Sequence, residues 1–155
     1  MVRQFDLDVG TKVLLDNVSV SEVISVGFWF LHGSRDEPES ERGYSHFLEH
    51  MLFKGTKTRN TLQIAQEIDR VGGIINAFTE KEITCFYTTL PKGYLDLSLD
   101  VLTDIVFNSV LPSEEIEKEK QVVINEIRSI LDSPEELAYE HFLKGIWSKH
   151  PLALN

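Results

Sequence analysis

Cysteine is scarce in this chain: its 155 residues hold one, Cys85. A single thiol excludes an intrachain disulfide framework, so a reducing compartment is the expected setting. Basic residues are few against acidic ones, 15 Lys and Arg to 25 Asp and Glu, for a formal net charge of −10. That balance excludes nucleic acid as the natural partner and leaves room for a basic peptide or a basic partner surface. Long apolar runs are missing too. Val26 to Leu31 is among the longest, far short of the ~20 residues that cross a bilayer. Met1 to Asp6 lack the apolar stretch of a secretory signal, so the expected location is the cytoplasm, or the mitochondrial matrix in a eukaryote.

What is present suits one globular domain: 42% hydrophobic residues in a chain long enough for a single core. Residues 3–8 and 11–16 alternate as short strands around a turn at Gly10. Glu22 to Phe30 reads as a longer strand whose apolar face, Ile24, Val26, Phe28 and Phe30, should meet the core. Residues 33–42 form a polar loop, and a helix runs from near Gly43 to Gly55. Asn60 and Gln63 make a capping box for a second helix, with Ile64, Ala65, Ile68 and Val71 as its apolar stripe and Gly72-Gly73 as its stop. Two strands follow, Ile74 to Thr79 and Ile83 to Leu90, with Cys85 a buried thiol on the second.

After Pro91 a helix carries Leu95, Leu99, Leu102, Ile105 and Val106 on one side and Asp96, Asp100 and Asp104 on a solvent side. A long helix spans Ser113 to about Leu131, where Ile116, Val123, Ile127 and Ile130 suggest a face packed into the core. Ser133 as N-cap, Pro134 and Glu136 open the last helix. This order predicts an α+β fold: two layers, a mostly antiparallel sheet covered by helices.

The chemistry concentrates at His46-Phe47-Leu48-Glu49-His50. Histidines four apart lie one turn apart on one helix face and can grip one metal ion, zinc above all. Glu49 shares that face, where a carboxylate can take a proton from water. The order H-x-x-E-H inverts the commoner zinc-protease motif. A catalytic zinc site wants a third protein ligand. Glu119 and Glu126, two turns apart on the long helix, are candidates, and spacing alone leaves both metal ligation and solvation open.

The pentad with Met51 to Thr56 after it resembles the zinc peptidases related to pitrilysin, insulysin and the catalytic subunit of mitochondrial processing peptidase. The resemblance extends to Gly33 to Glu37 before the helix, to Gly72-Gly73, Asn76 to Thr79 and Glu82 to Thr84 after it, to Val122 to Glu126, and to His150-Pro151-Leu152. It implies the processing-peptidase-like metallohydrolase fold and one Zn2+ held by His46, His50 and Glu126. Glu49 is then the general base of an endopeptidase acting on peptides or unfolded segments. Glu119 matches an acid that orients a ligating histidine. Asn76, Ala77 and Phe78 match an edge strand on which peptides lie. Glu136 and Glu140 match positions that hold a substrate arginine in the processing-peptidase branch, although Glu136 also fits the helix cap.

The chain departs from that pattern at Asp8 to Thr11, where Asn-Gly is usual, and at Tyr44-Ser45, where small apolar residues are usual. Such peptidases also carry a second homologous domain, which supplies an Arg and a Tyr to the site. Residues 1–155 are therefore expected to be one catalytic domain cut short at its C-terminal end, with a peptide substrate, a second homologous domain or subunit, or another copy of the chain as partners. The competing reading is a zinc-binding, catalytically incompetent peptide-binding or partner subunit.

Overall fold

The computed structural model describes residues 1–148 and 150–153. Alternating β-branched and aromatic residues give five strands, all paired antiparallel. β1 (Val2–Asp6) and β2 (Lys12–Asp16) form a hairpin with Val2 opposite Asp16 and Asp6 opposite Lys12. All ten strand residues are exposed, and the hairpin is a sheet of its own. β3 (Val23–Phe30), β4 (Ile74–Thr79) and β5 (Thr84–Pro91) make the main sheet in the order β3-β5-β4. β5 is central, and β4 pairs with β5 alone, Ile74 opposite Thr89 and Thr79 opposite Thr84.

The helices cover one face of that sheet, reached by Phe86, Thr88 and Leu90 of β5. Leu52 of α1 (Tyr44–Leu52), Ile64 and Ile68 of α2 (Thr61–Asp69), and Val101, Leu102 and Ile105 of α3 (Leu95–Phe107) close on Phe86 and Leu90. Burying each such side chain stabilises by about 1.5–3 kcal/mol before chain entropy is subtracted. The expected capping box of α2 is formed, with Asn60 and Gln63 each bonding the other's backbone N–H at 2.9 Å. Cys85 lies fully buried on β5, and burial pushes its thiol up to about 11. The expected two-layer α+β arrangement is the observed one.

Three expectations need correction. On β3, Ile24, Val26 and Phe28 pack against the core, but Phe30 at the strand end is 38% exposed. On α3 the buried stripe is rotated: Ser98, Val101 and Asp104 are inside, while Leu95 and Leu99 are about 40% exposed. Asp104 is no solvent residue, because Thr56, Thr58, Arg59 and Asn108 all donate to it. Ser98 is buried because its hydroxyl bonds that of Thr88. Finally, α4 (Ser113–Leu131) does not sink into the core. Ile127 and Ile130 are 51% and 41% exposed, and its single buried residue is Glu119. α5 (Pro134–Trp147) buries none of its residues. Among the described residues no helix is long and apolar enough to cross a membrane.

Candidate metal centre

The residues of the pentad are placed by the start of α1. Gly43 adopts φ 89°, a left-handed turn that a side chain would strain. The Glu37 carboxylate then accepts the backbone N–H of Gly43 and of Ser45, both at 2.6 Å. A carboxylate there satisfies orphan donors and faces the positive end of the helix dipole. Burial alone would raise its pKa, but the bonds from Ser45 and Gly43 and the nearby His32 outweigh it and hold the group below the ordinary carboxylate value. The segment expected as a polar loop holds two single helical turns, Ser34–Asp36 and Glu39–Glu41. The Ser34 and Arg35 N–H groups donate to the carbonyls of Glu80 and Lys81 at 3.1 and 2.9 Å, and the Arg35 guanidinium pairs with Glu82. α1 is therefore tied to the β4–β5 connection.

Three acceptor atoms converge between α1 and α4. His46 Nε2 and His50 Nε2 are 3.2 Å apart. Glu126 Oε2 lies 3.7 Å from the first and 3.4 Å from the second. Ligand atoms ~2.1 Å from a shared tetrahedral ion sit ~3.4 Å apart, so the triangle has the size that zinc requires. The donor set, two imidazoles and a carboxylate, suits the same ion. The Glu126 side chain is 44% exposed, which leaves one side open.

The tautomer of His50 follows from its other nitrogen. Nδ1 lies 2.9 Å from Glu119 Oε1. An ionised carboxylate can only accept, so Nδ1 carries a proton, and in the neutral ring Nε2 then presents its lone pair. Glu119 is only 4% exposed, and Lys54 Nζ holds its other oxygen at 2.6 Å. Burial alone would raise this carboxyl, but Lys54 and His50 outweigh it and bring its pKa below the ordinary value. Glu49 stands beside the triangle, and its Oε2 accepts from Thr79 Oγ1 at 2.6 Å.

Glu49, His50, Phe53, Lys54, Asn76 and Glu119 line a recess of about 210 Å³. Asn76, Ala77 and Phe78 lie on β4, an edge strand. Ala77 turns to the core, while Phe78 packs on Trp29 and Tyr87 with ring centres 5.7 and 6.2 Å apart. Asn76 Oδ1 accepts from the Ala77 N–H at 2.9 Å. Glu136 and Glu140 lie on α5 and do not line this recess. The Glu136 N–H donates to the Ser133 cap at 3.4 Å, and Glu140 lies 3.7 Å from Lys144, both on α5. Two residues in contact with the cluster, Thr79 and Lys54, fall within segments of the family resemblance but receive no role from the sequence. The spacing of four between His50 and Lys54 is the one local hint that the two act together.

Residues 12–155 match the profile of the insulinase family, peptidase family M16, and the chain belongs to that family. It is 38% identical to YmxG of Bacillus subtilis, named as an uncharacterized zinc protease, over 98% of this chain and 37% of that protein. A Rickettsia felis protein with the same description is 42% identical over 92% of this chain and 35% of its own length. A crystal structure of a protease from Helicobacter pylori superposes with a TM-score of 0.90 at 29% identity, covering 99% of this chain and 37% of that one. The chain thus spans about a third of the length of the curated relatives it matches.

Proposed function

We propose that this chain is the metal-binding catalytic portion of a zinc-dependent endopeptidase acting on peptides or unfolded segments. The observation that carries the reading is the triangle of His46, His50 and Glu126 acceptor atoms with the Glu49 carboxylate beside it. With both imidazoles neutral and their Nε2 lone pairs turned inward, three ligand atoms 3.2 to 3.7 Å apart suit a shared cation. His46, His50 and Glu126 would hold zinc, which lowers the pKa of water and polarises a carbonyl.

The chain's own residues supply the rest. Thr79 donates to Glu49 Oε2 and fixes the carboxylate, whose remaining lone pairs take a proton from the attacking water. The same carboxyl then gives the proton to the leaving amine. A peptide would pair with the open edge of β4 at Asn76 to Phe78, gaining affinity from backbone bonds with little choice of sequence. The net charge of −10 favours basic peptides. A second homologous domain or subunit is part of this proposal. It is supported by the greater length of the relatives and by exposed Tyr139, Phe142 and Ile146 on α5.

The test is Glu49→Gln in the full-length protein. The amide keeps the shape but cannot accept the proton, so zinc content should be unchanged and cleavage of a quenched basic peptide should fall to background. Retained cleavage in Glu49→Gln would overturn general-base catalysis by this residue.

A further inference from the structure

Lys54 has no part in the mechanism above, yet its ammonium reaches the same cluster. Its side chain is 23% exposed, and Nζ lies 2.6 Å from Glu119 Oε2. The other oxygen, Oε1, lies 2.9 Å from His50 Nδ1. The two oxygens of one buried carboxylate are therefore held by separate groups four residues apart, with Phe53 closing α1 between them. We propose that Lys54 is a positioning residue for the metal centre. By gripping Oε2 it aims Oε1 at His50, which keeps the proton on Nδ1 and the lone pair of Nε2 facing His46 and Glu126. The proposal rests on the zinc reading of that triangle.

The argument is one of charge and of rotation. Glu119 is 4% exposed, and a buried carboxylate persists inside only when a counter-charge faces it. A neutral imidazole donates a hydrogen bond but brings no charge. Among the described residues, Glu119 forms ion pairs with Lys54 and His50, and of these Lys54 carries the permanent positive charge. The last torsion of a glutamate is broad, and a second partner on Oε2 removes that freedom. Without Lys54 the carboxylate is free to swing toward solvent. His50 Nδ1 then loses its acceptor, and the tautomer with hydrogen on Nε2 becomes accessible. That hydrogen would occupy the point where the three acceptor atoms converge. A mere tie between the end of α1 and α4 would instead change stability and leave the His50 tautomer alone.

The experiment uses Lys54→Met, which keeps the apolar stem, and Lys54→Arg, which keeps the charge. The ring-nitrogen NMR shifts of His50 are read in the metal-free protein at alkaline pH, and zinc affinity is read by competition with a chromophoric chelator. Lys54→Met is expected to show a mixture of His50 tautomers and zinc binding weakened roughly 10-fold, as changes in residues behind a ligand do. Lys54→Arg should hold both near the wild-type values. In a Glu119→Gln background, Lys54→Met should cost nothing further, because the carboxylate it acts through is gone. A pure Nδ1–H tautomer with unchanged zinc affinity in Lys54→Met overturns the proposal. Absence of zinc binding in the wild type would instead overturn the zinc reading, and the tautomer measurement would still decide whether Lys54 sets the state of His50. If Lys54→Met fails to fold, Lys54→Leu, likewise apolar and unable to donate to Oε2, carries the same comparison.

Discussion

Replacing Asp104 with asparagine should destabilise the fold by about 2 kcal/mol at neutral pH while leaving zinc affinity unchanged. The carboxylate is 5% exposed. Oδ2 accepts from Thr56 Oγ1 at 2.6 Å, Thr58 Oγ1 at 2.8 Å and an Arg59 guanidinium N–H at 2.8 Å, and Oδ1 accepts from Asn108 at 3.1 Å. These bonds fasten the segment after α1 to α3. Burial alone would raise the carboxyl pKa, but the donors outweigh it and hold it at about 2 against an ordinary 3.8. The unfolded chain therefore binds this proton more tightly than the folded one. The contribution is fully present above about pH 4 and is lost as pH falls through about 2. At roughly 1.4 kcal/mol for each pH unit between folded and unfolded pKa, the separation is worth about 2 kcal/mol at pH 7. Urea unfolding of wild type and Asp104→Asn at pH 7 and pH 3 measures it, and the difference at pH 3 should be about half that at pH 7. A difference below about 0.5 kcal/mol at pH 7, or one that does not change with pH, would refute the reasoning.

Glu119→Gln should weaken zinc binding by roughly 10–100-fold without abolishing it, since Glu119 acts through His50, and chelator competition checks this. Unchanged affinity would remove Glu119 from the centre. Gly33→Ala should lower the unfolding temperature at a cost of about 1–3 kcal/mol. The added Cβ would press on backbone, 2.6 Å from the Lys81 carbonyl carbon and 2.7 Å from Glu82 N, where nothing can rotate away. An unaltered melting curve would show that this connection gives way freely.

The legible parts of the site are local ones. His46, Glu49 and His50 are readable because helical spacing alone puts them on one face, and the structure has them on α1. The α2 capping box and the β4–β5 strands are readable from signals that are equally local, a cap spacing of three and β-branched and aromatic content. Spacing alone offers Glu126 and Glu119 equally, and the resemblance is what prefers Glu126. Its approach to both histidines depends on how α4 crosses α1, which periodicity does not encode. The same crossing misleads on α4, whose isoleucines suggest a core face while Glu119 is the residue that enters. Asp104 misleads because spacing of four among aspartates is a surface pattern, and its donors lie more than forty residues away in the chain apart from Asn108. Thr79 and Lys54 lie in segments of the resemblance, but each meets the cluster through one long-range contact, and sequence spacing does not reveal such a contact.

The central claim is that His46, His50 and Glu126 together bind one zinc ion. Calorimetric titration of the metal-free chain with Zn2+, run beside Glu126→Ala, tests it most directly. The account predicts one equivalent of tightly bound zinc in the wild type and loss or severe weakening of that binding in Glu126→Ala. No binding by the wild type, or the same affinity in both proteins, would contradict it.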